Sequence, residues 1–176
     1  MIRSAAMQVL AATILLFGPS WVATANAAEG SGCAAFKWPV EREQAIFLGK
    51  DMQDALSGST VAALPKGGIS LSLLNAADVK FTLPPAGRPK DGAVKGAVLN
   101  IGTIAKAGAY QVTLSSEAWI DLIQAGKFVG STDHSGAKDC PGLRKIVRFN
   151  LTEGPLVVQI STAAVDSLKL AILPVQ

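Results

Sequence analysis

The chain of 176 residues is 49% hydrophobic but only 6% aromatic, and its 16 basic and 13 acidic side chains leave a formal net charge of +3. So weak an excess, with no basic run and few aromatics, gives no compositional support to nucleic-acid binding or to a polybasic membrane-binding face. The apolar fraction is ample for one packed domain.

Residues 1–27 read as a secretory signal peptide: Arg3 supplies a positive start, residues 9–17 an apolar run, Gly18 and Pro19 a break, and Ala25-Asn26-Ala27 a small-residue cleavage site. The apolar run is well short of the roughly 20 residues that span a bilayer. The expectation is a periplasmic or secreted protein with no transmembrane segment after cleavage. Two cysteines follow, Cys33 and Cys140. An even count in an exported chain argues for a disulfide between them, pinning the start of the processed chain to a distant loop.

Residues 28–66 read as a tether with a short helix. Pro39 suits a first helical turn, Glu41 and Glu43 suit its positive end, and Gly49 suits its stop. A further helical turn is expected over residues 51–56, then loop to residue 66. From residue 67 to 176 the pattern turns to period two, predicting a β-sandwich domain. ISLSLL (69–74), VKFTL (79–83), AVLNIG (97–102), AYQVTL (109–114), AWIDLIQ (118–124), KFVGS (127–131), RKIVRFNL (144–151), PLVVQIS (155–161) and SLKLAIL (167–173) are the strand candidates. With no long helix between them, they predict antiparallel pairing in a mainly β sandwich or barrel.

The order AGAYQVTL, AWIDLIQAGKFVGS, a polar loop, RKIVRFNLTEGPLVVQISTA and SLKLAILPV resembles the bacterial pre-peptidase C-terminal type of domain over residues 95–175. The resemblance implies a jelly-roll-like sandwich that accompanies or binds other molecules. It departs from that family at the Cys140 loop and where Pro155-Leu156 replaces the usual aromatic. The chain is also similar to small exported alphaproteobacterial proteins, some labelled ring-cleaving dioxygenases. A non-haem iron oxygenase needs two histidines and a carboxylate, whereas this chain has one histidine. No cofactor is implied.

Chemistry-bearing stretches are few. In STDHSGAKDCPGLRK (131–145), Asp133, His134, Asp139 and Cys140 are nominal metal ligands, but their spacing matches no recurring zinc or calcium pattern. A polar surface loop stapled at Cys140 is the favoured reading. In SSEAWIDLIQ, alternation puts Trp119, Asp121 and Ile123 on one face and Ile120 and Leu122 on the other. Trp119 beside Asp121 is a candidate platform for a sugar or another apolar-faced ligand. The competing position, favoured by the usual burial of large aromatics, is under the N-terminal segment bearing Phe36 and Trp38. Lys138, Arg144, Lys145 and Arg148 form a candidate basic patch for an anionic ligand, against the alternative of a solvated strand face.

These residues together predict a non-catalytic binding or interaction module for a small molecule, glycan or protein. The alternatives are a periplasmic enzyme, whether hydrolase or dioxygenase, built from distant carboxylates and His134, and a metal- or anion-binding accessory protein using residues 131–145.

Overall fold

The computed structural model describes residues 31–88 and 94–176, so the signal-peptide reading of residues 1–27 lies outside the described residues. Two mixed β-sheets pack face to face as a sandwich. One, sheet A, contains β1 (Gln53–Ala55), β3 (Ile69–Ser72), β6 (Gly108–Leu114), β9 (Ser131–Gly136), β10 (Lys145–Leu151) and β12 (Ser167–Pro174) in the order β1-β3-β12-β6-β10-β9. Sheet B contains β2 (Thr60–Val61), β5 (Lys95–Ile104), β7 (Trp119–Gln124), β8 (Lys127–Val129) and β11 (Gly154–Ala163) in the order β2-β5-β11-β7-β8, with β4 (Leu74–Asn75) also against β5.

The inward residues of these strands interdigitate. Leu71, Leu99, Leu114, Leu122, Val158 and Leu170 are wholly enclosed between the sheets, each such side chain contributing about 1.5–3 kcal/mol through loss of water contact. A smaller apolar cluster lies apart from this core. There Phe36, Val40, Ala137, Cys140, Leu143 and Ile146 bury one another, and Cys33, Ala35 and Trp38 pack against them. The Cys33–Cys140 disulfide forms, with its Cα atoms 4.5 Å apart across 107 positions of sequence. It ties the N-terminal segment over the outer face of sheet A. The helix α1 (Glu41–Leu48) follows and ends at Gly49 as its sequence predicts.

Four expectations are corrected. Residues 53–55 form β1 instead of a helical turn, because Gln53, Asp54 and Ala55 pair in parallel with Ile69, Ser70 and Leu71. Pairing is not wholly antiparallel: β1 with β3 and β2 with β5 both run parallel. A parallel pair needs a crossover, and here β2 provides it by carrying the chain into sheet B and back, with no helix. The two strands lie before residue 67, so the tether segment contributes to both sheets. Residues 131–136, read as part of a loop, form the edge strand β9 beside β10. Conversely, VKFTL joins no ladder, although its residues alternate. Its backbone N–H groups at Thr82 and Leu83 donate to the buried Gln159 Oε1 at 2.6 and 3.1 Å, and Gln159 Nε2 donates back to Leu83 O at 3.1 Å. The segment thus lies over the outer face of sheet B, fixed by three hydrogen bonds to one side-chain amide.

Candidate ligand cleft

The β7–β8 hairpin turns through Ala125 and Gly126, both at positive φ (48° and 73°), the backbone pattern that matches a two-residue turn to strand twist. Its return strand is short. Val129, Phe128 and Lys127 pair with Leu122, Ile123 and Gln124, and the chain then leaves sheet B for β9 of sheet A. Residues 119–121 of β7 are left with β11 on one side and, among the described residues, no strand on the other. The resulting gap between the sheet edges is a cleft of about 460 Å³, within the range of small-molecule sites.

Its floor is apolar, formed by Ile120, Val147 and Phe149. Its rim carries Trp119 and Phe128, exposed to 43% and 46%, with His134, Ser131 and Lys145 as polar neighbours. Trp119 is held firmly despite that exposure. Its Nε1–H donates to Asp121 Oδ1 at 2.8 Å, and the other carboxylate oxygen accepts from the Ala86 backbone N–H at 3.0 Å. A Cβ at Gly87 would overlap the Trp119 side chain, so only glycine lets this segment lie so close. Lys145 Nζ sits 5.5 Å from the Trp119 ring centroid, donates to Ala118 O at 2.9 Å and stands 3.7 Å from Glu117.

Trp119 and Asp121 therefore share a face, as alternation requires, but the cover over them differs from expectation. Residues 82–88 flank Trp119, whereas Phe36 and Trp38 lie over the other sheet. Asp121 is buried with both oxygens engaged, which makes it the anchor of the tryptophan and not a group facing a ligand.

The basic residues do not gather into one patch. Lys138 is exposed in the turn before Cys140. Arg144 pairs with Glu117 at 2.7 Å and donates to Ala137 O at 2.9 Å. Lys145 and Arg148 point to opposite faces of β10, Lys145 toward the cleft and Arg148 toward Trp38, whose ring centroid is 3.6 Å from the Arg148 Cζ. The odd separation of their positions on one strand enforces this split.

The nominal metal ligands separate in the same way. His134 stands opposite Val147 on the cleft side of β9, and Asp133 stands opposite Arg148 on the outer side. Lys37 pairs with Asp133 at 2.6 Å and its backbone N–H donates to Ser135 Oγ at 2.9 Å. The Lys37 ammonium, then the His134 backbone N–H, hold the Asp133 carboxyl below the usual carboxylate range. Cys140 is oxidised, and Asp139 lies in the turn beside it. Among the described residues no three His, Cys, Asp or Glu side chains are grouped so as to hold a metal ion. No helix among them is long and apolar enough to cross a membrane.

Phe128, Val147 and Phe149 were not legible as site residues, because each reads as ordinary strand; only the shortness of KFV before Gly130 hints that β7 is left uncovered. Comparison with protein-family models, with curated proteins and with solved structures returns no match for this chain.

Proposed function

We propose that the protein is an exported, non-catalytic binding module that takes a ligand with a flat apolar face in the cleft at Trp119. The observation that carries this reading is a large aromatic left 43% exposed yet fixed in position by Asp121 and Gly87. Pre-organisation of that kind lowers the ordering cost of binding, and aromatic plates beside hydroxyl and amine donors suit the apolar face and polar edge of a sugar ring. The disulfide accords with an oxidising compartment, and the likeness to pre-peptidase C-terminal domains, with their jelly-roll-like sandwich, points the same way.

An enzyme reading would draw on Ser131, His134 and Asp121, which line the same cleft. It is disfavoured because Asp121 is buried and turned to Trp119 and Ala86, and makes no hydrogen bond to the His134 ring that would orient it as a base. The test is a tryptophan-fluorescence and calorimetric screen of soluble glycans against the wild type and Trp119→Ala. We expect Trp119→Ala to abolish binding while costing about 1–2 kcal/mol, since the ring is only partly buried. A cost of about 3–5 kcal/mol would mark it as core and remove the basis of the proposal.

A further inference from the structure

The N-terminal tether roofs a second pocket, on the opposite sheet and independent of the cleft. Trp38, Pro39, Arg42, Glu43, Gln111 and Arg148 line a space of about 440 Å³ there. Most of its charged groups are already matched. Glu43, 1% exposed, accepts at Oε1 from Arg42 Nε at 3.0 Å and from Gln111 Nε2 at 2.8 Å, and Arg42 Nη2 lies 3.0 Å from the same oxygen. Asp133, directly across from Arg148 on β9, is taken by Lys37. Glu41 stands exposed at the rim.

Arg148 is the exception. It takes part in none of the ion pairs among the described residues, and its Nε is enclosed with no hydrogen-bond acceptor. Its Cζ lies 3.6 Å from the Trp38 ring centroid, so the indole attracts and orients the guanidinium. Stacking uses the face of a guanidinium and leaves its in-plane N–H donors for a coplanar acceptor. A half-buried cation of fixed orientation, bordering a pocket and with no counter-ion among the described residues, is arranged to receive an anion.

We propose that Arg148, positioned by Trp38, binds a small carboxylate-bearing ligand in this pocket. A planar carboxylate matches the donor fork of the guanidinium. Glu41 at the rim opposes a second negative charge, which favours a monoanion over phosphate. Lys37 and Arg42, each committed to a carboxylate, add little to the attraction.

The experiment is calorimetric titration of the purified, oxidised protein with sodium acetate and, separately, with inorganic phosphate, at constant ionic strength. Saturable acetate binding in the millimolar range is expected, with phosphate weaker. Arg148→Met should abolish it, and Arg148→Lys should weaken it by about tenfold or more, because lysine keeps the charge but loses the planar fork. Trp119→Ala should leave it unchanged. If Arg148→Met fails to fold by circular dichroism, Arg148→Lys carries the same comparison. No saturable acetate binding, phosphate binding tighter than acetate, or acetate binding that both Arg148 variants retain would each overturn the assignment.

Discussion

Strand β10 sends one cation to each of its faces, and each meets a tryptophan. On the outer face Arg148 stacks on Trp38 at 3.6 Å, and toward the cleft Lys145 stands 5.5 Å from Trp119. The two places differ in what covers them. Trp38 belongs to a segment bound by the Cys33–Cys140 disulfide, by Lys37 to Asp133 and Ser135, and by the small apolar cluster around Leu143 and Ile146. Trp119 is covered by residues 82–88, which are held by hydrogen bonds to Gln159 and Asp121 and by the close approach of Gly87. A covalent cover closes over a polar pocket in which Glu43 is matched and Arg148 is not, whereas a hydrogen-bonded cover leaves half an indole in solvent beside an apolar cleft.

The largest effect should come from removing the covalent cover. Cys33→Ser with Cys140→Ser opens a loop spanning 107 positions, and the loss should be about 2–5 kcal/mol in denaturant titration. Fluorescence of single-tryptophan variants should show Trp38 released and Trp119 little changed. If both move together, the two covers are one cooperative unit and the comparison fails.

Next comes Glu43→Ala. It leaves Gln111 unsatisfied and Arg42 without its partner under the tether, at a cost of about 2–4 kcal/mol read as a shift in denaturant midpoint. Arg42 keeps some solvent access, with 31% of its side chain exposed, which holds the effect to the lower half of that range. Gly87→Ala tests the other cover. The added methyl must displace either residues 82–88 or the indole, costing about 1–3 kcal/mol, and the Trp119 emission should shift while that of Trp38 does not.

The smallest effect belongs to Asp133→Asn. Lys37 and the His134 N–H lower the folded-state pKa of Asp133 below 3.8. The ionised form is therefore favoured by folding, its contribution is present above about pH 4, and it is lost as pH falls through the depressed folded value. The melting-temperature gap between wild type and variant should be small at neutral pH and should close in acid. Added salt should narrow it too, since the pair is exposed.

Alternation along AWIDLIQ is enough to put Trp119 and Asp121 on one face and Ile120 and Leu122 on the other, because side-chain direction in a strand is a property of neighbouring residues. The same is true of the strands from AVLNIG to SLKLAIL, and the even cysteine count suffices for the disulfide. What no local pattern contains is the cover. VKFTL alternates as well as any strand, yet Gln159, far along the chain, captures its backbone. Residues 131–136 lack a strand's apolar alternation, yet β10 pairs with them. Period and composition record the backbone's own preference and the loss of water from one face. Which distant segment satisfies a given donor, or leaves an indole half bare, is settled only when the two sheets pack and buried backbone N–H groups must find acceptors.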